Sequence, residues 1–143
     1  MILVDANLLI YSYSRKSPYH ARSIAWWSEV LNDGTRVGIP WHCLIAFLRI
    51  MTKSKPGHDA ITMPQAWATV ESWLGHSTVW VPQPTERHAK ILGRLLLGGV
   101  RTSRMVSDAH LAALSIEHNL TLCTNDGDFT HFPGLHWKNP LQR

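Results

Sequence analysis

Apolar side chains recur along this chain in two patterns, short unbroken runs and longer stretches with helical spacing. Ile2-Leu3-Val4 is apolar at every position, as a strand buried on both faces requires, and it stops at Asp5. Asn7 is positioned to cap a short helix through Leu8, Leu9, Ile10 and Tyr11. Ser17 as N-cap and Pro18 at the first helical position predict a second helix running to Asn32, ended by Asp33-Gly34. Thr35 to Ile39 then reads as a strand, and Pro40-Trp41 opens a helix through Met51. Thr52 to Thr62, with Lys53, Lys55, Pro56, Gly57 and His58, lacks apolar periodicity and reads as a mobile loop. Thr62 and Gln65 form a capping-box pattern for a helix over Pro64 to Gly75. A strand over Thr78 to Val81 follows, then helices over Thr85 to Leu97 and Ser103 to His118, the second capped by Asn119. Leu120 to Thr124 is the next strand. The order βααβααβααβ predicts an α/β fold in three layers, helices covering both faces of a central parallel sheet of four to five strands.

Length and composition narrow this further. A chain of 143 residues, 45% hydrophobic, suits a single domain spanning residues 1–143. No apolar run approaches the roughly 18 to 20 residues that cross a bilayer, and Asp5 interrupts the N-terminus before a signal-peptide core develops. No membrane association is therefore expected, and a cytoplasmic location is. Cys43 and Cys123 have no CxxC companion and read as small buried hydrophobes. The formal net charge of +4 favours polyanionic partners. The seven tryptophans are scattered, and Trp26 and Trp27 cannot both face one core, so one is expected at an interface.

The chemistry lies in the acids. Ligands bind open parallel sheets beyond the carboxyl ends of the strands, and two strands end there in carboxylates. Asp5 follows the first, and Asn125-Asp126-Gly127-Asp128 follows the strand that ends at Thr124. Asp108 lies near the start of the preceding helix, which points to the same edge. Carboxylates gathered in this way repel unless a cation or shared protons compensate, and Mg²⁺ or Mn²⁺ suits an all-oxygen donor set. Taken singly, Asp108 as a helix N-terminal charge and Asp126 with Asp128 as a solvated turn are equally ordinary readings. Arg49, Arg101 and Arg104 flank these acids and are candidates for holding the phosphates of a polyanionic partner. His110 and His118, eight apart on one helix, read as neutral bystanders.

Ile2-Leu3-Val4-Asp5-Ala6-Asn7, Pro40-Trp41 to Ala46-Phe47-Leu48-Arg49-Ile50, Asp108-Ala109-His110-Leu111-Ala112-Ala113 and Thr124-Asn125-Asp126-Gly127-Asp128-Phe129 resemble the ordered motifs of PIN-domain proteins. The resemblance is closest to the VapC toxins of bacterial toxin–antitoxin pairs, in particular the mycobacterial-type branch, whose Phe-Pro-Gly-Leu-like segment is here Phe132 to Leu135. It implies Asp5, Asp108 and Asp126 as catalytic metal-binding residues, with Asp128 as a further ligand, direct or through water. Asn7 and Thr124 would orient Asp5 and the loop through hydrogen bonds. It also implies endoribonuclease cleavage with Mg²⁺ or Mn²⁺ that inhibits translation, a VapB-like antitoxin as partner, and a homodimer. Many PIN domains carry a Glu where this chain has Ala46, which removes one acid. His42, one turn earlier on the same helical face, is a candidate to stand in as ligand or proton carrier, with a packing role as the plainer reading. The missing acid also motivates an alternative, a catalytically weak or inactive RNA-binding module.

Overall fold

The computed structural model describes residues 1–54 and 60–142. Lys55 to Asp59 of the expected Thr52 to Thr62 loop lie outside the described residues. The chain runs β1 (Ile2–Val4), α1 (Ala6–Tyr13), α2 (His20–Asn32), β2 (Val37–Gly38), α3 (Trp41–Thr52) and α4 (Met63–Leu74). It continues through β3 (Val79–Trp80), α5 (His88–Gly99), α6 (Met105–Glu117), β4 (Thr121–Cys123), a 3₁₀ segment (Gly127–His131) and β5 (Trp137–Lys138). The sheet order is β3-β2-β1-β4-β5 with every pairing parallel. Helices lie against this sheet in the three-layer α/β/α arrangement that the alternation of elements predicts.

β1 is central because it is apolar throughout: Leu3 and Val4 are fully buried, and it pairs with β2 on one side and β4 on the other. The core joins Leu3, Val4, Leu9, Leu44, Phe47, Leu111, Leu114 and Leu122 across strands and helices. Phe47 packs edge-on against Trp73 at 4.8 Å, and Trp27 meets Trp73 at 6.1 Å. Trp27 is buried whereas Trp26 is half-buried, as two adjacent helical positions must be.

Local signals are met in several places. Thr62 accepts from the Gln65 N–H and Gln65 accepts in turn from the Thr62 N–H, a complete capping box. Gly34 after α2 and Asn119 after α6 both take positive φ, +83° and +54°. Others are corrected. α2 begins at His20 rather than at Ser17-Pro18, because the Ser17 hydroxyl is used two residues on, by the Tyr19 N–H, in a turn that precedes the helix. Asn7 does not cap α1. Asp5 does, accepting the Ala6 N–H at 2.7 Å, which frees Asn7 for longer-range bonds. α5 continues past Leu97 to Gly99, and β5 extends the sheet beyond the four strands legible as apolar runs.

Candidate active site at the carboxyl edge of the sheet

β1 and β4 are neighbours, yet the chain leaves β1 toward β2 and β3 on one side and returns to β4 on the other. The crevice beyond their carboxyl ends is thus the switch point of the sheet. Asp5 directly follows β1, and Thr124 to Asp128 follows β4. Asp108 lies in the first turn of α6, which runs back against β4 and so starts at this same edge.

Thr124 ties the site together. Its fully buried hydroxyl donates to Asp5 Oδ2 at 2.7 Å and accepts from Asn7 Nδ2 at 3.1 Å and from the Asp126 N–H at 3.0 Å. Asn7 also reaches Asp5 Oδ2 at 3.3 Å, and its carbonyl oxygen accepts from the Asn125 N–H at 3.4 Å. Asp126 Oδ1 accepts the Asp128 N–H at 2.9 Å, opening the 3₁₀ segment. One hydroxyl and one amide therefore fix the acid after β1 to the loop after β4.

The acids act on one another through space. Asp108 is pushed up to about 6, first by burial and then by the negative charges of Asp126, Asp5 and Asp128, with His42 pulling the other way. Burial also raises Asp5; the bonds from Thr124 and Ala6 oppose this, and Asp126 adds to it. Cys43, buried in α3, has its thiol raised by burial and by the charge of Asp5, so it is an inert neutral neighbour. Asp5, Asp108, Asp126 and Asp128 thus share one electrostatic neighbourhood, with Asn7 and Thr124 inside it.

Among the described residues, no group of three or more His, Cys, Asp or Glu side chains is arranged to hold a metal ion as it stands. The donors are nevertheless all oxygen, carry mutually repelling charges and lie within electrostatic reach of each other. Mg²⁺ keeps several waters and takes one or two carboxylates directly, so these residues suit it.

The basic candidates divide. Arg104 is the N-cap of α6 and Arg101 lies just before it, both exposed at the edge that carries Asp108. Arg49 is exposed in the last turn of α3, about 10 Å along the helix from His42 and away from that edge. Ala46 is half-buried and His42 is exposed. His110 is kept neutral, first by burial, and its Nδ1 lies 3.0 Å from His88 Nε2 while its ring packs against His42. His118 is separate, its Nε2 bonded to the Gln83 carbonyl at 2.7 Å.

This parallel sheet with acids at its switch point defines a PIN domain, and the PIN domain family model matches residues 2–135. Ribonuclease VapC37 of Mycobacterium tuberculosis is 37% identical over 140 residues, covering 98% of this chain and 97% of the relative. Ribonuclease VapC33 of the same species is 34% identical over 142 residues, covering 99% of each. The chain belongs to the VapC family of PIN-domain proteins. Its fold also matches the solved VapC20 of M. tuberculosis, described as a sarcin-ricin loop cleaving toxin, with a TM-score of 0.69 at 18% identity over 95% of this chain and 99% of that one. VapBC2 from Rickettsia felis, bound to a DNA fragment from its promoter, matches with a TM-score of 0.69 at 20% identity over 97% and 98%.

No helix among the described residues is long and apolar enough to cross a membrane.

Proposed function

We propose that this chain is the endoribonuclease toxin of a toxin–antitoxin pair, cleaving RNA with Mg²⁺ or Mn²⁺ held by Asp5, Asp108 and Asp126, with Asp128 bound directly or through water. The carrying observation is that the acids after β1 and β4 and the acid in the first turn of α6 meet at one edge of the sheet, in a chain 37% identical to a ribonuclease along nearly its whole length. Such an ion supplies Lewis-acid chemistry, polarising the phosphate and acidifying a bound water. The chain's own residues hold that chemistry in place. Thr124 and Asn7 fix the Asp5 carboxylate, the Asp126 and Asp128 turn follows the neighbouring strand β4, and Asp108 stands in the first turn of α6 at the same edge. Arg101 and Arg104 flank Asp108 and draw in the RNA backbone. Arg49 takes a lesser part in this reading, since it lies two turns from the edge.

A VapB-like antitoxin is the partner in this reading, on a chain that also pairs with itself. A groove of about 750 Å³, lined by Tyr13, Arg15, His20, Ile24, Met51 and others, offers mixed basic and apolar surface for an antitoxin segment. The test is cleavage of RNA by the purified chain with Mg²⁺, its loss with EDTA and its recovery on adding the ion back. RNA retained without turnover would instead indicate the inactive binding module.

A further inference from the structure

A second polar network enters the site from behind. Glu117, in the last turn of α6, has its side chain completely covered. A buried carboxylate is costly unless its oxygens are bonded, and here Oε1 accepts the Thr85 N–H at 2.6 Å while Oε2 lies 2.5 Å from His88 Nδ1. A carboxylate only accepts, so His88 donates from Nδ1 and turns Nε2 toward His110 Nδ1, 3.0 Å away. Glu117 and His110 are seven residues apart on α6 and so share a face; His88, from α5, bridges the two turns between them. The His110 ring then meets the His42 ring of α3 edge to face, with centroids 5.6 Å apart. The column Glu117–His88–His110–His42 crosses three helices and ends at the exposed His42, in the first turn of α3, which begins beyond the carboxyl end of β2 at the same edge of the sheet as the acids.

Leucines would fill such a column at no polar cost, so its value is orientation rather than packing. Beside the carboxylates, a ring held in one orientation gives an RNA phosphate oxygen a directed donor that flexible arginines do not supply. Resting on the ribonuclease reading, we propose that His42 is a catalytic residue that donates a hydrogen bond to a phosphate oxygen of the RNA, and that Glu117, His88 and His110 are positioning residues that hold its ring.

The test is a double-mutant cycle on cleavage of an RNA oligonucleotide with Mg²⁺, using His42→Ala, His88→Phe and the double variant. Circular dichroism verifies folding, and His110→Phe, which keeps an aromatic ring against His42, replaces His88→Phe should that variant fail to fold. Each single change should lower kcat about tenfold with KM within about twofold, and the double variant should be no worse than His42→Ala alone. The ¹⁵N imidazole signals of His42 should also shift in His88→Phe, although these two side chains share no hydrogen bond. Full activity of His42→Ala, or a His88→Phe loss of the same size with and without His42, overturns the proposal. A wild-type chain that leaves RNA intact overturns the ribonuclease reading and this inference together, whereas cleavage with additive losses overturns this inference alone.

Discussion

The hydroxyl of Thr124 donates to the carboxylate of Asp5 across 119 positions of sequence, at 2.7 Å. That bond joins the ends of the neighbouring strands β1 and β4 and makes one site of two chain segments. Because the hydroxyl also accepts from Asn7 and from the Asp126 N–H, removing it orphans several partners at once. Thr124→Val, close in shape, should cost about 1 to 3 kcal/mol of stability. It should also lower RNA cleavage more than a surface change of equal stability cost. Thermal melting alongside an activity assay reads both effects; wild-type values in both would remove Thr124 from its organising role.

Asp108 gives a pH signature. Its carboxyl is pushed up to about 6 from an ordinary 3.8, so between about pH 4 and 6 the folded chain keeps a proton that the unfolded chain has released. Stability of the metal-free protein therefore falls as pH rises through that window and stays lower above it. Asp108→Asn cannot ionise, so at pH 7 the metal-free variant should melt no lower than wild type, with a flatter pH profile. Mg²⁺ should raise the melting temperature of wild type at pH 7 and leave the variant unmoved. Melting curves at pH 5 and 7, with and without the ion, measure this, and an equal loss in the variant at both pH values would contradict it.

The α4 capping box is a local prediction. Thr62→Ala removes the acceptor of the Gln65 N–H and should cost about 1 kcal/mol, with little change in activity because α4 contributes no residue to the acid edge. A denaturant titration gives the stability change directly.

Phe47 tests the core beneath α3. It is fully buried, 4.8 Å from the ring of Trp73 and 6.0 Å from that of Tyr13. Phe47→Ala should cost about 3 to 5 kcal/mol. A much smaller loss in chemical denaturation would mean that α3 is not seated on this cluster.

What the sequence disclosed follows from which signals are local. Ile2-Leu3-Val4 announces a doubly buried strand, and Asp5 beyond it marks the edge where the acids gather. The Thr62 and Gln65 pair and Asn119 are read from single turns, and each behaves in the fold as its chemistry demands. β5 escaped because Trp137-Lys138 is two residues long, half-buried and exposed in turn, and paired only to β4, so no apolar run marks it. Asn7 carries the side chain of a helix cap, but Asp5 stands at the N-cap position and takes that bond instead. The histidine column left half a signal. His110 and Glu117 at a spacing of seven share a face of α6, but only the packing of α5 brings His88 between them. The grouping of Asp108 with Asp5 likewise depends on the order of strands in the sheet, which the alternation of elements narrows and the switch point settles.

The most direct measurement is the rate of RNA cleavage by the purified chain and by Asp5→Asn, each with Mg²⁺ and with EDTA. Cleavage by the wild type with Mg²⁺, abolished by the chelator and reduced at least a hundredfold in Asp5→Asn while the fold is kept, is the expected result. Undiminished cleavage by Asp5→Asn, or cleavage indifferent to EDTA, would contradict the assignment of the work to these aspartates and their ion.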